Sequence, residues 1–302
     1  MYCNLDQFGK YVSSIRKKLG FNRELLAELS LVSVSTIKKI ETGKHLPSHL
    51  ILEDLSNILK VDLNRVILDY RVENFDQFEK IVNRVECKSD AHEYSTLQEE
   101  YHAFEDLLNL TQNTYYKRLI QQFMFLIESI LLKEEKNYEG SFHKLILAMK
   151  VFTPNFNIRH YKNFVYNDME VRILMNISIL FKQLKSKEKF LEIMVFLIEA
   201  VEKTSELYPK ICHNLSNAYN LLGDYKNSLK YADMGIQYCT ENRKLNGINL
   251  LYFSKGVAEY ALGDSSYPES LNKAISFCDI LGQRELKEII IYKCNKFYNL
   301  YI

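Results

Sequence analysis

Glycine and proline are scarce, with ten and four in 302 residues. β-Sandwiches and barrels need both at their turns, whereas helix interiors tolerate few of either, so the shortage excludes a turn-rich β fold and predicts an all-α protein. Closely spaced cysteines are lacking too. Cys3, Cys87, Cys212, Cys239, Cys278 and Cys294 lie far apart with no C-x-x-C pair, which signals neither a zinc site nor a disulfide framework. They read as reduced thiols filling helix interfaces. No run approaches the roughly 18 to 20 apolar residues of a membrane span. The start Met1-Tyr2-Cys3-Asn4-Leu5-Asp6 has neither the basic cluster nor the apolar stretch of a secretory signal. A cytoplasmic protein without a membrane partner is expected. H-E-x-x-H, G-x-S-x-G, a P-loop and clustered Cys/His ligands are all missing, so neither catalysis nor a cofactor is expected. His45 and His49 stand four apart, but Pro47 between them keeps one helix from aligning their rings. No metal pair is expected there.

An excess of one charge is absent as well: the net charge is +1. The molecule as a whole is no polycation, and any attraction to nucleic acid must be local. It is concentrated at the N-terminus. Residues 1–45 hold eight Lys or Arg (Lys10, Arg16, Lys17, Lys18, Arg23, Lys38, Lys39, Lys44) against four acids (Asp6, Glu24, Glu28, Glu41). Hydrophobic residues make up 47% and charged residues 25%, the proportions of a chain that builds a core. At this length a small module plus a larger second domain is expected.

Apolar residues at helical spacing begin with Phe8, Val12, Ile15 and Leu19, and Gly20 closes that helix. Asn22 is placed to cap a second helix burying Leu25, Leu26 and Leu29; Leu25 leaves its capping box incomplete. Ser33 caps a third, Val34 to Thr42, ended by Gly43. Pro47 and Ser48 start a fourth with Leu52, Leu55 and Leu59, and Asp62 starts a short fifth with Leu63, Val66 and Ile67. Five short helices in about seventy residues make a compact bundle.

From Phe8 to Leu68 these residues resemble the helix-turn-helix domains related to phage repressors, often called XRE-like. The resemblance is strongest at Leu26-Ala27, Val32-Ser33, Ser35-Thr36-Ile37, Ile40-Glu41-Thr42-Gly43-Lys44 and Pro47. In such domains the third helix presents its N-terminal residues to base edges in the major groove while the second crosses the backbone. Val34 is then placed for a thymine methyl, Ser35 and Thr36 for either kind of base, and Lys38 and Lys39 for guanine or phosphate. Arg23 and Lys44 are assigned to phosphate. Two positions depart from the family: Arg23 stands where a Gln is usual, and Leu31 replaces the usual turn Gly.

After a hinge at Tyr70 to Asn74, amphipathic patterns run to the C-terminus. Helices are expected at about 75–87, 91–111, 115–135, 138–151, 168–185, 187–203, 205–222, 225–239, 244–262, 266–280 and 284–300. One repeat is legible: Leu215, Ala218, Tyr219, Gly223, Asp224, Tyr225, Ser228 and Leu229 resemble the tetratricopeptide pattern of two antiparallel helices joined by a tight turn. Ala261-Leu262-Gly263-Asp264 echoes Leu221-Leu222-Gly223-Asp224, with Ser270-Leu271 and Ala274-Ile275 following after a turn two residues longer. Asn176-Ile177-Ser178 echoes Asn214-Leu215-Ser216, and Asn137-Tyr138 followed by Ser141 looks like an earlier turn. Four or five degenerate repeats are expected, stacked in a right-handed superhelix with a concave surface suited to an extended ligand. The first helix of each pair lines that concavity, which points Asn176 and Asn214 inward, with Asn217 and Asn220 extending the polar strip. An amide offers both donor and acceptor and so grips a peptide backbone without demanding a side chain. Phe181, Phe190, Tyr219 and Tyr225 are assigned to the core.

A helix-turn-helix domain (residues 1–69) joined to such repeats (residues 75–302) resembles the RRNPP group of peptide-sensing regulators, including PlcR-like and Rgg-like proteins. The resemblance implies a sequence-specific regulator: a homodimer on double-stranded DNA with an inverted repeat, controlled by a short signalling peptide in the repeat groove, as in quorum sensing. Two alternatives remain open at this point: a repeat domain that binds a protein partner instead of a peptide, and an interaction scaffold that does not bind DNA.

Overall fold

Each helix of the first seventy residues begins at a side chain that satisfies its free backbone amides. Asn4, Asn22, Ser33, Ser48 and Asp62 accept from the amides of Gln7, Leu25, Thr36, Ile51 and Arg65, and start α1 (Leu5–Lys18), α2 (Arg23–Ser30), α3 (Val34–Glu41), α4 (His49–Leu59) and α5 (Leu63–Asp69). The expected caps at Asn22, Ser33, Ser48 and Asp62 stand where the sequence put them. The structure is a computed structural model that describes residues 4–70, 74–245 and 247–297. Of the expected hinge, residues 71–73 lie outside the described residues. Tyr70 closes onto the bundle, its ring 5.8 Å from that of Phe8 and its carbonyl 2.6 Å from the Asn4 amide.

Phe8, Val12, Leu26, Ile37, Ile40, Leu52, Leu55, Leu59 and Leu63 form the buried centre of this bundle. Leu25 and Leu29, expected inside, are exposed, and Leu26 is the fully buried apolar residue of α2, with Ala27 packed beside it. An eight-residue helix turns only one narrow stripe inward, and Leu26 occupies it.

The remaining helices are α6 (Phe75–Asp90), α7 (Leu97–Leu110), α8 (Thr114–Glu134), α9 (Tyr138–Lys150), α10 (Asp168–Gln183), α11 (Lys187–Ala200), α12 (Tyr208–Leu222), α13 (Tyr225–Glu241), α14 (Ile248–Leu262), α15 (Tyr267–Ile280) and α16 (Arg284–Phe297). A 3-10 turn at Tyr94–Thr96 and another at Ile158–Asn163 sit in the connections. Among the described residues there is no strand, and no helix is long and apolar enough to cross a membrane. The chain divides into two compact units: Met1–Asn83 with His102–Ile120, and Arg84–Tyr101 with Gln121–Ile302. In the first, Phe78 meets Phe104 and Tyr116 with ring centres 6.0 and 5.7 Å away.

In the second unit each helix from α9 to α16 packs on the next, the order a tetratricopeptide-like stack requires. Gly223 and Gly263 end α12 and α14 in the left-handed conformation, at φ 80° and 73°. Asp224 and Asp264 follow, their amides returning to the carbonyls of Tyr219 and Glu259. Small residues let the helices approach: the Ser216 and Ser228 hydroxyls meet at 2.8 Å between α12 and α13. A Cβ on Gly256 would lie 2.7 Å from the side chain of Leu271 in α15. Phe190 is fully buried as expected, while Phe181, Tyr219 and Tyr225 are only half-buried. Tyr219 spends its ring on a parallel stack with Tyr231 at 5.5 Å.

Gly9 sets the crossing of α1 and α3, because a Cβ there would sit 2.7 Å from the carbonyl of Glu41, in backbone that cannot step aside. Alanine gains up to about 1 kcal/mol of helix propensity over glycine, less than the cost of overpacking against backbone. Gly9→Ala is therefore expected to destabilise the helix-turn-helix bundle by about 1 to 2 kcal/mol net, seen by urea unfolding of the full chain. An unchanged midpoint would mean the two helices are not locked at this crossing.

Candidate functional site

The third helix has two faces with different duties. Inward, Ile37, Ile40 and Glu41 are buried. Glu41 is only 6% exposed, and a buried carboxylate must be paired. Arg16 of α1 supplies a fork, Nε to Oε1 at 2.5 Å and Nη2 to Oε2 at 3.1 Å, and Arg23 of α2 adds Nε to Oε2 at 2.7 Å. Arg16 also donates to the Phe21 carbonyl at 2.7 Å. One carboxylate thus ties α1, α2 and α3 together. Burial opposes its ionisation, but hydrogen bonds from Arg16 and then Arg23 outweigh that and hold the carboxyl below its ordinary value.

Outward, Ser35, Lys38 and Lys39 are exposed on α3, and Val34 beside them is 38% exposed. Thr36 is half-buried and shares its hydroxyl with Ser33, 2.8 Å away, which fastens the helix start. Beyond the helix, Gly43 at φ 68° turns the chain, and the amide of Lys44 returns to the Lys39 carbonyl at 2.9 Å, leaving the Lys44 side chain exposed. Arg23, assigned to phosphate from sequence, is engaged through Nε with Glu41, so only its outer guanidinium nitrogens face solvent. Leu31, in place of the usual turn Gly, still adopts the left-handed conformation (φ 57°) at a cost of roughly 1 kcal/mol, and is 93% exposed. The outcome is a capped helix, rigid on its inner face, with Val34, Ser35, Lys38 and Lys39 presented along the outer one.

In the repeats, Asn176 of α10 and Asn214 of α12 stand in matching places. Each donates one Nδ2 hydrogen to the carbonyl four residues back, to Arg172 at 2.9 Å and Lys210 at 3.0 Å. The Oδ1 atoms accept no hydrogen bond among the described residues, so both amides keep an acceptor to offer. The residues they lean on are paired with α6: Arg172 with Glu86 at 2.8 Å and Lys210 with Asp90 at 2.7 Å. Asn217 is half-buried. Asn220 bridges to the next repeat instead, donating to the Ser254 carbonyl of α14 at 3.2 Å, and its Oδ1 is buried without a partner.

Sequence reasoning did not single out Lys133, Lys182, Lys293, His92 and His213 in the same unit. The charges of Lys293 of α16 and Lys133 of α8 act on Lys182 of α10 and on His92, and that of Lys293 acts on His213 as well. Burial and the other lysines bring Lys182 down to about 8. Burial, with Lys182 and His92 adding to it, brings His213 to about 3 and keeps it neutral, its Nδ1 3.0 Å from the Ser254 hydroxyl. No local motif marks these residues, since each comes from a different helix.

The architecture defines a class, a helix-turn-helix bundle followed by a stack of tetratricopeptide-like helices. Residues 12–66 match the helix-turn-helix family. Beyond that segment, the fold is shared with solved structures of low sequence identity. The chain is similar to Bacillus thuringiensis PlcR, solved in complex with the peptide PapR7 and DNA, with a TM-score of 0.74 at 18% identity over 95% of this chain and 99% of that one. It is also similar to the SHP pheromone receptor Rgg2 of Streptococcus dysgalactiae (TM-score 0.54, 12% identity, 96% and 99% covered). ComR from S. thermophilus, in complex with DNA and its signalling peptide ComS, gives a TM-score of 0.53 at 13% identity, with 94% and 97% covered. No curated protein sequence matches the chain.

Removing Glu41's charge strands a buried Arg16, a change that costs about 3 kcal/mol or more. Because the folded carboxyl titrates below its ordinary value of 4.5, this stabilisation is complete above that value and is lost as the pH falls through the lower folded one. Glu41→Gln is expected to lower the bundle's unfolding free energy at pH 7, with the gap to wild type closing below about pH 4. Denaturant unfolding at both pH values decides it: a gap that stays constant with pH would mean the carboxylate carries no such linkage.

Proposed function

We propose that this chain is a cytoplasmic transcriptional regulator that binds an inverted repeat in double-stranded DNA as a homodimer, under the control of a short signalling peptide held by its repeats. Residues 1–69 read the DNA, and residues 75–302 sense the peptide and supply the dimer contacts. The observation that carries this reading is α3: a helix pinned from behind by Arg16, Glu41 and Arg23 with Ser35, Lys38 and Lys39 outward is what a recognition helix needs. Supporting it, the whole chain shares its fold with PlcR in a complex containing both a peptide and DNA. Lys38, Lys39 and Lys44 make phosphate or guanine contacts, Val34, Ser35 and Thr36 face base edges, and the outer guanidinium edge of Arg23 remains for phosphate. Asn176 and Asn214, with Asn217 and Asn220, hold the peptide backbone.

The test starts with duplex DNA selected from a random pool by the full-length protein. Selected sites are expected to be inverted repeats with half-sites one or two helical turns apart, each turn roughly 34 Å. Lys38→Ala with Lys39→Ala should weaken binding and reduce the log-log salt slope by about 0.9 for each phosphate no longer neutralised. Selection of no duplex, or an unchanged affinity and slope in the double variant, rejects α3 as the reading helix.

For the repeats, heptapeptides selected from a mixed library should bind about fivefold to a hundredfold more weakly to Asn176→Ala or Asn214→Ala, since each change leaves a peptide group unpaired. DNA binding without peptide should be unaffected. Equal peptide affinity in wild type and both variants returns the two asparagines to the ordinary surface.

A further inference from the structure

α11 carries two apolar stripes where a surface helix needs one. Phe190, Ile193, Met194 and Leu197 are buried and hold the helix in the stack. A second stripe, Leu191, Val195 and Phe196, is only half-buried. It forms the floor of a groove of about 410 Å³, whose walls are completed by Leu222 at the end of α12 and Lys162 of the 3-10 turn Ile158–Asn163. The floor is preformed, because the Phe196 ring meets those of Tyr161 and Tyr166 edge-on, at 5.2 and 6.2 Å. α11 is the second helix of its pair, whereas Asn176 and Asn214 lie on first helices, so this groove is separate from the surface proposed for the peptide.

Three acids, Glu188, Glu192 and Glu199, follow the same stripe at i, i+4 and i+11. Glu192 is already engaged: its carboxylate accepts from Lys189 at 2.9 Å, Lys162 at 3.2 Å and the Tyr161 hydroxyl at 3.0 Å. The hydrogen bond from Lys189 above all, then those from Lys162 and Tyr161, hold this carboxyl down at about 2. Glu188 and Glu199 are exposed and make no ion pair among the described residues. Eleven residues of helix set them about 16 Å apart. The groove therefore presents an apolar floor between two unanswered negative charges. Single exposed apolar residues need no explanation, but a contiguous strip rimmed by charge of one sign marks an interaction surface.

We propose that this groove docks a basic amphipathic helix of another protein, one with two Lys or Arg about three turns apart and large apolar residues between them. The apolar residues cover Leu191, Val195 and Phe196, and the two cations meet Glu188 and Glu199. A helix suits the groove better than an extended strand. The backbone groups of α11 are paired within the helix, so no sheet edge is offered and side chains alone do the recognising. The rim acids select a partner of opposite charge and orient it, while the apolar floor supplies most of the affinity. None of this depends on the peptide reading, since no residue of the groove is assigned to the peptide.

The full-length protein is the target, and the probe is a phage-displayed library of alanine-rich helices of about 18 residues, long enough to be helical alone, randomised on one face. Counter-selection uses Glu188→Lys with Glu199→Lys, a variant that folds because both positions are exposed. Retained helices are expected to carry Lys or Arg about three turns apart with Leu, Ile, Met or Phe between them. Titrated calorimetrically as single peptides, they should bind wild type saturably and the charge-reversed variant roughly tenfold or more weakly, as two rim attractions become repulsions. Leu222→Ala, which trims an exposed wall, should weaken them too while leaving duplex and heptapeptide binding unchanged.

Retention of no helix, retention of helices without the basic pair, or equal affinity for the charge-reversed variant overturns the proposal and leaves DNA binding and peptide sensing untouched. Sedimentation gives the remaining outcome. An oligomeric state shared by wild type and both variants upholds a partner other than this chain. Loss of a wild-type dimer in either variant assigns the groove to a second copy, and the proposal falls.

Discussion

No helix hairpin in this chain can bury its own apolar face, and both units are built around that constraint. In the repeats the solution is stacking: each hairpin covers the next, with hydroxyls, Gly235 and Gly256 at the crossings so that backbones approach closely. Stacking has a consequence beyond stability. It lines up the first helices of successive pairs, so residues remote in sequence share one surface, and a few polar side chains per helix become a composite site. Asn176 and Asn214 correspond because their helices do.

The amino-terminal bundle meets the same constraint with less material, and a polar tie replaces part of the apolar one. Glu41 is more costly to bury than any hydrophobic residue of its size, yet its two arginines let three helices be fixed at a single point. The arrangement suits a helix that presents its opposite face to a partner. Apolar packing tolerates small slides and rotations, whereas a forked ion pair defines distance and angle together. With Gly9 allowing α1 to seat against the backbone of α3, and with Ser33 and Thr36 closing its start, little freedom is left to the outward face.

Much of the fold was legible because it is written in local chemistry. Caps at Asn22, Ser33, Ser48 and Asp62, and turns at Gly43, Gly223 and Gly263, act within a few residues of themselves, so a linear reading finds them. The same reading placed most helix ends in the repeats within a few residues, since the 3.6-residue period is local too. What it left out depends on partners far away in sequence. Nothing near Arg23 in the chain shows that Glu41, eighteen residues on, holds its Nε. Asn220 continues the spacing of a polar strip, and its Nδ2 also reaches the carbonyl of Ser254 in the next repeat, which the spacing does not show. Leu25 and Leu29 shared a stripe with Leu26 on paper, yet a two-turn helix buries only one of them.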